Sequence, residues 1–249
     1  MSTTNPQPAS LGGVASFLDR FRAFRDATSG GRAQAFKADF QRLAVGLKPL
    51  QVKAAERARL EAPEFNVFSI LRVERREVTT HTPFLANLLN PAGTHAQGDL
   101  FLRLFWERLT LGAQNGPKVQ VPALIAGCRW CVHRERVTES GNFDIHLLCR
   151  AMGFQMVIEN KIDAGDQEDQ LPRYWEQMEE ECIHYPNRLL VYLTKQARRP
   201  KNYKGTLPPF LNLTYREDIA ATLTQAIDGG IAPRLQFTLE QYLDIIARF

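Results

Sequence analysis

Residues 143–162 read FDIHLLCRAMGFQMVIENKI, and the pattern of this segment is the strongest indication of the fold. Its two apolar segments, 143–149 and 154–162, each have the length of a β-strand, and a short turn containing Gly153 joins them. Residues 128–138 lie one turn upstream and also show a period of two. Three strands connected by such short turns predict an antiparallel meander.

Downstream of the meander, predicted helices and strands alternate. An acidic stretch leads into a predicted helix at about 167–182, and residues 188–194 form a continuous apolar strand of the kind buried on both faces. A further strand at 210–215 precedes helices at 216–228 and 238–248. This order predicts an α/β protein with a mixed central sheet flanked by helices.

Upstream of the meander, the apolar spacing is helical. Residues 77–89 and 97–111 are expected to be amphipathic helices, separated by a turn at Asn90-Pro91. Residues 14–62 are basic and helical in pattern, and Pro49 predicts a break or kink within them. The expected organisation is therefore a flexible tail (1–13), a basic helical appendage (14–62) and a main domain (63–249).

Composition excludes several classes of protein. The 249 residues are 44% hydrophobic and 23% charged, which rules out wholesale disorder, a collagen-like chain and a coiled-coil rod. No apolar run is long enough for a membrane span, and the first residues lack the pattern of a secretory signal. Cys128 and Cys131 would lie on opposite faces of a strand, so we expect no zinc site. Four cysteines make no disulfide framework, and the expected compartment is the reducing cytoplasm.

Charged residues within the meander are the candidate chemistry. Alternation places Glu159 and Lys161 on one face of the third strand, and the hairpin brings Asp144 of the second strand close to Glu159. Buried charge is costly unless it is paired or metal-bound. Two carboxylates on adjacent strands form a hard-oxygen site suited to Mg²⁺, and Lys161 would orient or activate a nucleophilic water.

The alternative for this triplet is a surface ion pair. Glu-x-Lys occurs about once by chance in a chain of this size, and exposed pairs contribute little to stability. The placement favours a site, because Asp144 lies among apolar residues and an apolar strand ends in Glu-x-Lys. Gln170 and Tyr174 share a face of the next helix, near the strand end that bears Lys161. Gln170 would hold a water or a carboxylate there, or would simply cap the helix or face solvent.

In this order, Asp144, Glu159-Asn160-Lys161 and Gln170-x-x-x-Tyr174 resemble the PD-(D/E)XK nuclease superfamily, in its RecB-like branch. Residues 65–100 resemble the N-terminal signature of a bacterial family within it, in which an His-x-x-Phe-Leu-Ala helix ends at Asn-Pro before a Gly-x-His-x-x-Gly turn. The resemblance runs from about Glu64 to Thr194 and implies a restriction-endonuclease-like core.

The resemblance also implies a role for each matched residue. Asp144 and Glu159 would bind one or two Mg²⁺ ions, for which Mn²⁺ is an expected substitute, together with the main-chain carbonyl of Asn160. Lys161 would position or activate the water and stabilise charge on the phosphate. Gln170 would support that water. Glu135 would add a second metal position or a supporting contact, and Tyr174 would buttress Gln170 or touch a phosphate. His81 would be either a buried hydrogen-bonded histidine or a site residue, and His95 would cap the helix that begins near Gln97.

The expected partner is DNA, and the residues do not exclude RNA. The chain carries 31 Lys and Arg against 27 Asp and Glu, so its net charge of +4 is weak evidence, but a basic loop follows the strand at 188–194. Its cations would contact phosphates without reading sequence. Those predicted contacts are Lys195, Arg198, Arg199, Lys201 and Lys204.

The resulting hypothesis is a Mg²⁺-dependent nuclease, for which such families suggest a role in bacterial or phage defence. A nuclease of this size often needs a homodimer or an accessory ATPase to act on a duplex. One rival hypothesis is a non-catalytic module that binds nucleic acid or protein on the same fold. The other is a structural domain in which Asp144 and Glu159 point away from each other.

Overall fold

The structure, a computed structural model, describes residues 11–27, 31–62, 64–115 and 119–249. Cα packing divides the chain into two compact units, one ending at Phe65 and the other running from Asn66 to Phe249. Most of the tail predicted at 1–13 lies outside the described residues, and the first helix already begins at Leu11.

The described part of the first unit consists of two helices, α1 (Leu11–Ala27) and α2 (Gly31–Glu61). Aromatic contacts join them, since the rings of Phe21 and Phe24 lie 4.8 and 5.3 Å from that of Phe36. Pro49 lies inside α2, and the helix continues on both sides of it. The break predicted at this proline therefore does not occur.

A five-stranded mixed sheet forms the centre of the second unit, with its strands in spatial order of their sequence. The first three strands are antiparallel and the last three are parallel. The predicted meander and mixed sheet are confirmed. The strands are β1 (Cys131–Thr138), β2 (Gly141–Cys149), β3 (Phe154–Lys161), β4 (Asn187–Thr194) and β5 (Leu211–Thr214).

Helices flank this sheet, as predicted. Two of them are preceded by π-helical turns, at Glu77–His81 and Tyr215–Ile219. The last helix begins at Pro233 rather than near residue 238, because proline is well suited to a first helical position. None of the described helices combines the length and apolar character needed to cross a bilayer. The helices are α3 (Val67–Ile70), α4 (Thr82–Leu89), α5 (Leu100–Asn115), α6 (Gln170–Glu180), α7 (Ala220–Asp228) and α8 (Pro233–Ile246).

Apolar side chains cover both faces of the sheet. The larger cluster packs α4, α5, α7 and α8 against one face, and a smaller cluster around Val157, Tyr174 and Leu190 packs α6 against the other. Each large apolar side chain buried in this way contributes about 1.5–3 kcal/mol. Every residue of β3 is buried, so the charged residues at its end are held in the interior of the protein.

Candidate active site

Three acidic residues lie in one row across the antiparallel strands. The pairs Arg134–Ile145 and Arg136–Phe143 flank Glu135 and place it opposite Asp144. The β2–β3 ladder ends at the pair Ile145–Ile158, one step before Asp144 and Glu159 would meet. The same register places Asp144 and Glu159 side by side at the carboxyl end of β3, and Glu159 raises the pKa of Asp144. This contradicts the hypothesis that they point apart.

Lys161 lies against Glu159, as alternation along β3 predicts. Its Nζ is 2.5 Å from Oε1 of Glu159, and the two side chains are 6% and 1% exposed. Oε2 of Glu159 is buried and has no hydrogen-bond partner among the described residues. This ion pair belongs to the interior, so the alternative of an exposed surface pair is wrong.

Asp144 takes over a contact that a strand ladder would otherwise make. Its Oδ2 accepts a hydrogen bond of 2.7 Å from the main-chain N–H of Asn160, beyond the last β2–β3 pair. Because a strand residue directs its N–H and C=O to the same side, the carbonyl of Asn160 also faces Asp144. The structure thus brings together the two carboxylates and the carbonyl of the expected ligand set.

The side chain of Asn160 anchors this corner from the opposite face of the sheet. Its Nδ2 donates to Oγ1 of Thr82 at 3.1 Å, and its Oδ1 accepts from the hydroxyl of Tyr215 at 2.9 Å. Both partners are buried and belong to the helical layer. The middle residue of the Glu-x-Lys triplet therefore fixes β3 to α4 and to the turn before α7.

Glu135 has a strained backbone at this row. Its φ is +49°, in the left-handed region that non-glycine residues rarely adopt. Its Oε1 is buried with no hydrogen-bond partner among the described residues, and burial together with nearby Glu77 raises the pKa of its carboxyl. A residue held in such a conformation costs about 1–3 kcal/mol, and such strain clusters at functional sites.

Glu77 is a site residue that sequence reasoning missed. It is the first residue of the π-helical turn before α4, and its Oε2 accepts a 2.6 Å hydrogen bond from the N–H of Ile162, directly after Lys161. Burial raises the pKa of this carboxyl, partly offset by Ile162 and Lys161. The available signal was its position four residues before His81, inside the N-terminal signature.

Residues of the N-terminal signature, around His81 and His95, hold the segment that carries Glu77 in position. Buried His81 contacts the Tyr242 hydroxyl through Nδ1 at 2.7 Å and the Glu74 carbonyl through Nε2 at 2.9 Å. Nδ1 of His95 accepts from the N–H of Gln97, two residues further along the same turn. A Cβ at Gly93 would lie 2.7 Å from the His95 ring, so only glycine fits there. Both histidines therefore have structural contacts, and α4 is held where Glu77 meets β3.

Gln170 and Tyr174 are hydrogen-bonded to each other, close to Asp144 and Glu159. Nε2 of Gln170 donates to the Tyr174 hydroxyl at 3.0 Å, and that hydroxyl donates to the carbonyl of Asn142. Helix α6 begins at Gln170, close to the predicted start at about 167, with Asp169 before it. Because Tyr174 is buried, we assign it to positioning Gln170 and no longer to a contact with nucleic acid.

The site contains more carboxyl groups than positive charges that could neutralise them. Burial first, and then Glu159, raises the pKa of Asp144 to about 8; burial raises that of Glu159 to about 7 although Lys161 opposes the change. Burial disfavours the charged form of Lys161, but Glu159 outweighs this and its pKa lies above the ordinary value. The protonated Lys161 therefore lies close to three carboxyl groups with raised pKa values, those of Glu77, Asp144 and Glu159, and Glu135 adds a fourth that acts on Asp144.

The donor set fits a hard divalent cation. Among the described residues, no three His, Cys, Asp or Glu side chains are close enough to hold a metal by themselves. Mg²⁺ does not require this, because it is usually held by one or two carboxylates and keeps several waters. The unpartnered oxygen of Glu159, beside Asp144 and the Asn160 carbonyl, is suited to such an ion.

The basic loop between β4 and β5 carries the predicted nucleic-acid contacts. Asp166 holds this loop in place, accepting hydrogen bonds from Tyr192 at 2.6 Å and from the N–H of Lys201 at 2.8 Å. Three of the five cations are ion-paired, and the other two are exposed without an ion pair among the described residues. The paired ones are Lys195 with Asp163, Arg198 with Asp166 and Lys204 with Glu168; the others are Arg199 and Lys201.

Comparison with known proteins agrees with this geometry. A family model described as PD-(D/E)XK nuclease superfamily matches residues 65–244. The match extends fifty residues beyond the resemblance at Thr194 and includes β5, α7 and most of α8. No curated protein and no solved structure matches the chain. Since the family model covers well over half of it, the chain belongs to the PD-(D/E)XK nuclease superfamily.

Proposed function

We propose that this protein is a Mg²⁺-dependent nuclease that hydrolyses phosphodiester bonds in DNA. One observation carries the proposal: Asp144, Glu159 and Lys161 converge at the open end of β3, buried and with too little positive charge for their carboxylates. Carboxyl groups with such raised pKa values in one place are typical of functional sites. The fold supports the proposal, because members of this superfamily are generally nucleases.

Asp144, Glu159 and the Asn160 carbonyl would hold the cation, which would supply Lewis-acid neutralisation of the phosphodiester and lower the pKa of water. Lys161 keeps its proton beside Glu159, so it acts as a cation and hydrogen-bond donor to the phosphate. Gln170, fixed by Tyr174, presents its amide near the same strand end. Glu135, opposite Asp144, and Glu77, which contacts the N–H of Ile162, add further negative charge and would support a second ion or its waters.

Cleavage assays test this proposal directly. Linear duplex, supercoiled and single-stranded DNA, and RNA of matched sequence, would be incubated with the protein in Mg²⁺, Mn²⁺ or EDTA. We expect cutting of DNA in either metal and none in EDTA. An Asp144→Asn preparation purified in parallel controls for contaminating nucleases. If the parent cuts no substrate but still binds DNA, the nuclease hypothesis is wrong and the non-catalytic binding module is favoured.

Glu77 offers a second test of the site. Glu77→Gln keeps an acceptor for the N–H of Ile162 but removes the charge. If Glu77 supports the metal, this variant should raise the Mg²⁺ concentration needed for half-maximal cleavage by about 10- to 100-fold. A metal titration of the cleavage rate measures this. A matched Glu107→Gln variant, which changes an exposed carboxyl on α5 that also accepts a hydrogen bond, should leave the titration unchanged.

Further parts of the proposal rest on the resemblance alone. They are a RecB-like branch, a role in bacterial defence and action as a homodimer or with an accessory ATPase. The proposed cytoplasmic location rests instead on the four cysteines, which make no disulfide framework. The β2–β3 ladder ends at the pair Ile145–Ile158, before the site carboxylates, so we expect the substrate backbone to approach at this end of β3.

A further inference from the structure

A group of three charged residues lies beside the candidate active site. Nη1 of Arg75 is 2.9 Å from both carboxylate oxygens of Asp163, and Nζ of Lys195 also pairs with Oδ1 of Asp163. Nη2 and Nε of Arg75 form no hydrogen bond among the described residues. The three residues come from separate parts of the chain, and one carboxylate is shared by two cations.

The topology places this group directly beyond the catalytic strand. Asp163 follows Lys161 by two residues, which is about 7 Å in extended chain. Lys161 pairs with Thr194 in the parallel β3–β4 register, so Lys195 lies next to the chain leaving β3. Arg75 precedes Glu77 by two residues in the loop that reaches β3 from the helical layer. Both cations are therefore neighbours of the site.

The group is accessible, unlike Lys161. The side chains of Arg75, Asp163 and Lys195 are 56%, 42% and 27% exposed. Exposed ion pairs contribute little to stability, so a competing anion can displace Asp163 at small cost. Guanidinium and ammonium groups are the usual ligands of nucleic-acid phosphates, and the unused Arg75 nitrogens suit a planar two-oxygen contact.

The geometry points to a phosphate-binding site formed by Arg75 and Lys195, which would bind the nucleic-acid phosphate next to the one being cleaved. Asp163 competes with that phosphate for the two cations. This inference rests on the proposed nuclease function. Asp163 keeps the two cations together in the free protein, and its carboxylate repels the incoming backbone. A phosphate that binds there must break both ion pairs. Asp163 thus sets the affinity for the backbone without contacting the reacting atoms.

The experiment measures binding and not cleavage, so it is independent of turnover. Anisotropy of a short fluorescent DNA duplex in EDTA, over a series of salt concentrations, would be recorded for the parent and for Asp163→Asn, Arg75→Ala and the double variant. An RNA duplex of the same sequence forms a second arm. Asp99→Asn is the matched control, because it removes one carboxylate from a similarly exposed pair with Arg103, at 49% and 39% exposure, outside the site.

Asp163→Asn should bind DNA about three- to tenfold more tightly and with a steeper salt dependence, whereas Asp99→Asn should not differ from the parent. Arg75→Ala should weaken binding, and by more in the Asp163→Asn background, where the competitor is gone. A purely structural Arg75 would lose nothing in that background. Equal or weaker binding by Asp163→Asn overturns the inference even if cleavage is established, and so does absence of binding by every form. The nuclease function is decided separately, by the cleavage assays with metal.

Discussion

Replacing Lys161 with methionine should reduce single-turnover cleavage by about 10²- to 10³-fold while leaving a folded protein. The substitution keeps the length of the side chain and removes the cation that would contact the phosphate. It also leaves Glu159, 1% exposed, without its ion-pair partner. We expect Glu159 to remain protonated to higher pH in this variant, which avoids an uncompensated buried charge.

The matched control for this variant is Arg103→Met, which removes an exposed cation paired with Asp99 on α5. It should cleave at the rate of the parent. Rates measured at saturating enzyme separate the chemical step from binding, and thermal unfolding verifies that both variants are folded. A folded Lys161→Met protein that cleaves like the parent would remove Lys161 from the mechanism.

The second large effect concerns stability and pH. The pKa values of Asp144 and Glu159 are raised to about 8 and about 7 in the folded protein, from ordinary values of 3.8 and 4.5. The folded state therefore binds more protons than the unfolded chain between these limits. The stabilisation that this provides is complete below about pH 4 and is lost as the pH rises through about 8.

The metal-free protein should accordingly lose about 2–3 kcal/mol of unfolding free energy between about pH 6.5 and pH 8.5. The buried histidines offset a small part of this loss, because burial lowers the pKa values of His81 and His146 from 6.5 and the stability that this adds keeps rising until about pH 7.5. Urea unfolding at several pH values in EDTA measures the slope.

Asp144→Asn retains an acceptor for the Asn160 N–H but removes the titrating group. The slope should be much shallower in this variant, and the protein should be more stable than the parent at pH 8.5. Mg²⁺ should also flatten the slope of the parent, because a bound cation favours ionised carboxylates. A parent whose unfolding free energy does not fall above pH 6.5 would contradict the raised pKa values.

The sequence was sufficient for those parts of the site that lie within one or two strands. Asp144, Glu159 and Lys161 could be grouped because alternation and a short hairpin determine which side chains share a face. The approximate start of α6 was predictable, because proline is favoured in the first turn of a helix and Pro172 lies two residues after Gln170. Local pattern alone carries this information.

Contacts between distant segments were not predictable. Glu77 reaches the N–H of Ile162 from 85 positions away, and Arg75 reaches Asp163 from 88 positions away. Nothing in the local pattern of either segment encodes its partner. The basic loop is a related case, because its charge predicted free phosphate contacts whereas buried Asp166 binds Arg198.

The left-handed conformation of Glu135 has a consequence for laboratory evolution of this protein. Glycine adopts a positive φ without steric cost, so Glu135→Gly would relieve the backbone while deleting a carboxyl that has no hydrogen-bond partner for its buried oxygen. Libraries selected only for heat resistance should therefore enrich glycine at this position. Selection would need to alternate between thermal challenge and a survival phenotype to keep the glutamate.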